Sequence, residues 1–481
     1  MARVTKVDTV IKNAKLVTPE GIVPRAGLAI NKEKIVAVAS DRELPEARRV
    51  IDAQGNYVMP GIVDPHTHPG AYRPFPKDIE MESKAGAAGG VTTMIGITKV
   101  TRMTKEFKKY TEPKDVVPYH KAFPAARKMV DELSSIDFGF NLAVQTDAHA
   151  AEILEFARES GVYTYKFYVG YKDASKWTSS IGLPTTWDDG TLFYGMESIA
   201  KIGGVATFHA ENNMINRILL DRVMKTGKKN LAAWEERSPD YVEAYDVNRV
   251  AYLSKILGTR IYPVHISSAM GLDECRRAKD EGVNIIVETC PHYLTINMHD
   301  PFPGELAKVN TPIRDKKNAD ALWAGLKNGD IDCIGSDHVP CYKKNVYVKG
   351  DIWKSLAGFP SFGFILPMML SEGVNKGRIS FPRLVEVMCR NTAKTFGFYP
   401  KKGDLRVGSD ADVVIVDLKK EQKLTYKMLP SDCDASIYEG RRVKGWPILT
   451  MLRGEIIWQD GKNIGAPRGR YVPAKPTDRA V

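Results

Sequence analysis

The chain has 481 residues, 43% hydrophobic and 26% charged, the balance of a globular protein with one large core or two to four ordinary ones. No run of about 18 apolar residues and no apolar leader core occurs, so neither a membrane span nor a secretory signal is expected and the cytoplasm is the expected compartment. The net charge of +11 is scattered, with small basic groups at Lys343-Lys344, Lys401-Lys402 and from Arg468 to Lys475, and lacks the basic stripe interleaved with aromatics that would imply a nucleic-acid partner.

The first fifty-odd residues alternate as short strands, Thr9 to Val17, Gly27 to Ile30 and Lys34 to Val38, broken at Pro19-Glu20-Gly21 and Asn31. From residue 57 apolar strands alternate with helical patterns such as Val242 to Leu257 and Ala319 to Lys327, the rhythm of a parallel α/β sheet. Strands are expected near 57–64, 92–98, 138–145, 163–169, 205–210, 260–266, 284–290 and 331–336. Eight strands with crossovers predict a (β/α)8 barrel, with its chemistry at the C-terminal strand ends. A doubly wound sheet would need a glycine-rich phosphate loop, which is missing.

After residue 403 short strands return, Asp412 to Val416 and Ile448 to Trp458 around Gly454. Both chain ends are therefore expected to share a small β-sandwich domain, 1–56 with 403–465, around a barrel over 57–402. The remainder, 466–481, has no helical or strand period and is expected as an extended tail reaching a neighbouring subunit. Six cysteines without a CxxC pair fit buried, reduced thiols.

The apolar run from Tyr57 ends in His66-Thr67-His68. Side chains at i and i+2 of a strand share a face, so both imidazoles reach one ion. Alone, such a pair is as well explained by a solvated turn. Strand five, however, ends at His209, strand six at His265 and strand eight at Asp337, and convergent His/Asp ligands suit zinc or a similar divalent ion. Lys166 lies inside the apolar run of strand four, where a buried ammonium must be paired or neutralised.

These motifs resemble those of the metal-dependent amidohydrolases, and within them the cyclic amidases: hydantoinases, dihydropyrimidinases, allantoinases and dihydroorotases. The resemblance runs from Val10 to about Val472, through PGIVDPHTH at 60–68, AAGGVTTMI at 87–95, KFYVGY at 166–171, HAEN at 209–212, VETCPHYL at 287–294, NTPIRD at 310–315, GSDH at 335–338 and KKGDLRVGSDADVVIVD at 401–417. It implies two divalent ions, zinc first and Mn2+, Co2+ or Fe2+ as alternatives, bridged by a carbamylated Lys166. His66, His68 and Asp337 would complete one ion, and His209 and His265 the other. Water between two such ions is acidic enough to act as nucleophile near neutral pH. Asp337 would take its proton and pass it to the leaving ring nitrogen. Tyr171 matches the residue that stabilises the developing oxyanion, and Asn310 a position that holds the substrate ring. The resemblance also implies a small cyclic amide substrate and a homotetramer.

The stretches at 166–171 and 401–412 resemble hydantoinases and dihydropyrimidinases, whereas VETCPHYLTI and the run from Thr311 to Leu326 resemble allantoinases, so allantoinase is the alternative activity. A non-catalytic scaffold of the same fold would lack metal ligands, and a mononuclear deaminase would lack the bridging lysine. Two loops depart from the hydantoinase pattern: Tyr171 to Asp189 is long, and Leu356 to Phe362 replaces a Pro-Asn-Gly segment. The aromatics of the stretches Lys176 to Trp187 and Trp353 to Phe362, namely Trp177, Trp187, Trp353, Phe359 and Phe362, predict a ring-fused or aryl-substituted substrate, with Trp177 and Phe359 as contacts.

Overall fold

The computed structural model describes residues 6–99, 117–169 and 188–477. The alternating start of the chain folds as β1 (Val7–Thr18), β2 (Gly21–Asn31), β3 (Lys34–Ser40) and β4 (Ala47–Asp52), followed by β5 (Tyr57–Pro60). The parallel strands are β6 (Ile62–Thr67), β7 (Val91–Thr98), β8 (Asp137–Ala143), β9 (Thr164–Val169), β10 (Val205–Ala210), β11 (Arg260–Pro263), β12 (Glu288–Thr289) and β13 (Cys333–Ile334). The chain then returns through β14 (Val413–Lys423), β15 (Arg442–Leu452), β16 (Glu455–Gln459) and β17 (Lys462–Asn463).

Both ends of the chain share one nine-stranded sheet, ordered β17-β16-β15-β14-β5-β1-β2-β3, with β4 paired to β1. The expected first barrel strand, 57–64, is in fact two strands. Tyr57 to Pro60 pairs with β1 and β14, while Ile62 onward pairs with β7. The crossing point is Gly61, where a Cβ would lie 2.1 Å from the Thr92 hydroxyl oxygen.

β6 to β11 form a parallel sheet in sequence order. Their residues are buried on both faces, because helices cover one side and side chains fill the other. Single parallel bridges, Ile261 with Ile285 and Thr67 with His338, link the β12–β13 pair to β11 and to β6. These last two strands are shorter than expected because carboxylates take backbone donors that a ladder would use. Asp332 accepts from Val287 N at 2.8 Å and Asp64 from Ser336 N at 3.1 Å. The helix expected from Ala319 starts at Lys316, since Asp315 caps it by accepting from Asn318 N. Among the described residues no helix is long and apolar enough to cross a membrane, and all six cysteines are buried and free.

The tail departs from expectation, because it folds on its own chain. Phe138 N donates to Arg470 O and Val472 N to Phe138 O, which extends β8 by a parallel bridge at Tyr471. Tyr471 and Val472 are buried, the former between Phe123 and Phe140 with both ring centroids at 5.4 Å. Ala474 and Lys475 then bond to Gly161 O and Gly397 O. The pairing is wholly tertiary, which explains why no period in the tail announces it.

Candidate metal centre

Five strands deliver the expected ligands to one cleft. His66 and His68 come from the end of β6, Lys166 from β9, His209 from β10, His265 from just beyond β11 and Asp337 from just beyond β13, and all six line the cleft. His66 Nε2, His68 Nε2 and Asp337 Oδ1 lie 3.0 to 3.3 Å from one another. The second pair, His209 Nδ1 and His265 Nε2, face each other at 2.8 Å.

The donor atoms fit divalent ions. Metal–nitrogen bonds of 2.0–2.1 Å at tetrahedral angles put neighbouring ligand atoms about 3.3 Å apart, close to the spacing of the His66, His68 and Asp337 triangle. Imidazoles and a carboxylate are the donors zinc prefers.

Electrostatics favour the proton-free forms of His68, His265 and Asp337. Burial pushes His68 down to about 4, although Asp337 beside it pulls the other way. Burial likewise drives His265 well below its usual value, helped by the neighbouring His209. For Asp337, burial favours the neutral acid, but the surrounding His66, His68 and His265 overcome it and hold the carboxyl well below its ordinary range. Lys166 is buried, and desolvation lowers its amine to about 7.

His265 and Asp337 adopt left-handed backbone conformations, φ 47° and 48°. Such residues store strain of order 1 kcal/mol or more and persist where surrounding contacts fix them. Here they turn the ligands inward just after the strands end.

Carboxylates that the sequence reading left without a role hold the ligands from behind. Glu288 accepts from His66 Nδ1 at 2.7 Å, and Glu211 lies 3.2 Å from His209 Nε2. Arg237 joins Glu211, at 2.9 Å, to Asn310, at 3.3 Å. Behind Asp337, His338 Nε2 meets Glu82, which Arg73 also binds. The usable signal was the carboxylate within an apolar strand, since a buried acid must be paired.

Asn310 lines the cleft as expected. Tyr171, Trp177 and Trp187 lie outside the described residues. Phe359 does not line the cleft: it is fully buried, edge-on to His292 at 5.0 Å, and Ala357 and Gly358 form the wall instead. Trp353 packs on Trp234 and Phe362 stacks on His338. The aromatic wall expected from residues 353–362 is therefore not in the cleft, Phe359 and Phe362 being core and Trp353 half-buried, and among the described residues Tyr72 and Tyr168 supply the tyrosine surface of the cleft, with Lys99 beside them.

The "Amidohydrolase family" matches residues 243–457. An L-hydantoinase from Paenarthrobacter aurescens is 35% identical over 465 residues, covering 95% of either chain. An allantoinase from Escherichia coli O1:K1 is 30% identical, covering 97% of this chain and 98% of its own. The crystal structure of a dihydropyrimidinase from Brevibacillus agri superposes with a TM-score of 0.86 at 29% identity, covering 98% of this chain and 100% of the other.

Proposed function

The chain belongs to the amidohydrolase family, and on that premise we propose that it opens a cyclic amide ring by hydrolysis at a binuclear metal centre, as a hydantoinase or dihydropyrimidinase type of enzyme. The observation that carries this is the convergence of four imidazoles, Asp337 and the buried Lys166 on one cleft.

His66, His68 and Asp337 would hold one ion and His209 and His265 the other, and Lys166, as a carbamate, would add an anionic ligand. The Lys166 nitrogen adds to carbon dioxide, forms a C–N bond and loses a proton, which turns a costly buried ammonium into an anionic ligand. Two divalent ions held there, zinc first, would supply an activated water at neutral pH and Lewis acidity toward the ring carbonyl. Asp337 accepts the water's proton and returns it to the departing ring nitrogen. Tyr171 donates its hydroxyl to the oxygen of the tetrahedral intermediate. Asn310, steadied by Arg237, holds the ring in register.

We infer that the eight parallel segments close as a (β/α)8 barrel, supported by the bridges at both seams, and that the two-ended sheet is its β-sandwich companion. The proposed division remains 1–56 with 403–465, 57–402 and 466–481, with the first barrel strand moved to Ile62 because Tyr57–Pro60 pairs with β1 and β14. Six buried free thiols support a cytoplasmic setting. A homotetramer belongs to the same reading. Its support is the outer helix Asp240–Leu257, which turns Tyr241, Tyr245, Tyr252 and Ile256 to solvent on one side.

The test is a comparison of ring-opening rates on hydantoin, 5-substituted hydantoins, dihydrouracil, dihydroorotate and allantoin. A hydantoin or dihydrouracil is expected to be fastest. Allantoin as the fastest substrate would overturn the assignment within the family.

A further inference from the structure

Glu288 is fully buried at the start of β12, below the cleft floor. Its Oε1 accepts from His66 Nδ1 at 2.7 Å and from the backbone N of His265 at 2.9 Å, and its Oε2 accepts from the Tyr262 hydroxyl at 2.8 Å. His66 belongs to the first group of ligands and His265 to the second. A single carboxylate oxygen thus touches both halves of the site.

The two contacts do different things. A proton on His66 Nδ1, donated to Glu288, leaves Nε2 bare where it faces His68 and Asp337. The bond to His265 N holds that residue in its left-handed conformation, which aims its ring at His209. The neighbouring backbone makes room for this arrangement: at Gly335 a Cβ would lie 2.8 Å from Glu288 Cδ and 2.9 Å from His66 Cβ. Any larger residue there would push Glu288 and His66 apart. Glu211, by contrast, reaches one ligand only, His209.

We propose that Glu288 is a positioning residue that couples the two halves of the metal centre, so that one buried carboxylate sets the affinity for both ions. This rests on the binuclear reading above. Outer contacts of this kind typically change metal affinity ~10–100-fold.

The experiment is zinc binding to the full chain, stripped with a chelator, reloaded in bicarbonate and titrated against a chromophoric competitor. The wild type is expected to take up two ions. Glu288→Ala should weaken both by about 10–100-fold, and Glu288→Gln should weaken both by less, because its amide oxygen can still accept from His66 and His265. Tyr262→Phe should shift both ions in the same direction as Glu288→Gln, and Glu211→Gln should shift only the ion at His209 and His265. Unfolding temperatures of the stripped proteins separate lost folding from lost affinity; if Glu288→Ala does not fold, Glu288→Gln and Tyr262→Phe carry the test. Unchanged binding in Glu288→Gln, or weakening of one ion alone, overturns the coupling while leaving the binuclear reading intact. A wild type that takes up fewer than two ions overturns that reading and the coupling with it.

Discussion

The two ends of the parallel strands carry buried charge in opposite ways. At the C-terminal ends, His66, His68 and Asp337 gather their donor atoms within 3.3 Å of one another. Where β8 begins, Asp137, Asp410 and Asp412 form a cluster that also resembles an ion site. That cluster is closed by the chain itself: Lys402 lies 2.5 to 2.9 Å from all three carboxylates, and Arg453 pairs with Asp137. Burial penalises charge equally at both places. The difference is that one end supplies its own cations and locks the parallel strands to the nine-stranded sheet, while the other gathers donor atoms that could hold a metal ion. Acidic or ligand-rich clusters therefore have to be judged by what already occupies them.

If that division is right, substitutions at the two ends should separate function from stability. The largest effect belongs to Asp337→Asn, expected to lower kcat about 10²–10⁴-fold as the proton carrier is lost, with the unfolding temperature little changed. Steady-state rates beside a thermal melt check it, and a large fall in stability would mean that Asp337 is also part of the frame. Lys402→Met is the converse. It takes the shared cation from three buried carboxylates and leaves Asp412 without one among the described residues, although Arg453 stays on Asp137 and Lys34 on Asp410, at a cost of about 3–5 kcal/mol, seen in urea unfolding. The rate per folded, metal-loaded molecule should hold; a matching fall in kcat would show that the two ends are not independent.

The docked tail offers a smaller test at the stable end. Tyr471→Ala removes the ring between Phe123 and Phe140 and should cost about 3 kcal/mol, with the oligomeric state unchanged by light scattering. Dissociation of the oligomer without loss of stability would instead place the tail on a neighbouring subunit.

The smallest effect is on acid stability. Burial would raise Glu82, but His338 and Arg73 overcome it and hold the carboxyl at about 2 against an ordinary 4.5. A depressed folded-state value means that its stabilisation is complete above the ordinary value and lost as pH falls toward about 2. Glu82→Gln should flatten unfolding stability over that window, and an unaltered slope would show that other carboxylates carry it.

The residues that converge on the cleft were legible because His66, His68, His209, His265 and Asp337 each combine a chemically unusual residue with a strand end, a position that the alternation of strands and helices fixes. Lys166 stood out for the same reason, as a cation inside an apolar strand. The supporting shell was less legible. Glu288 and Glu211 could be read as acids in familiar motifs, but whom they touch depends on the ring of strands being assembled. The split at Gly61 was hidden because residues 57–63 form one unbroken apolar run, and only contact with Thr92 shows why the chain must cross there. The loop from Trp353 to Phe362 misled for the opposite reason: aromatic composition says that these residues are buried, not whether a cleft or a core buries them.

The most direct measurement is the ring-opening rate of the purified chain before chelation, after complete removal of metal, and after reloading with zinc in bicarbonate. The account predicts a rate that vanishes with the metal and returns as two ions per chain are restored. Ring opening that persists in the metal-free protein, or full activity with a single ion and an unmodified Lys166, would contradict it.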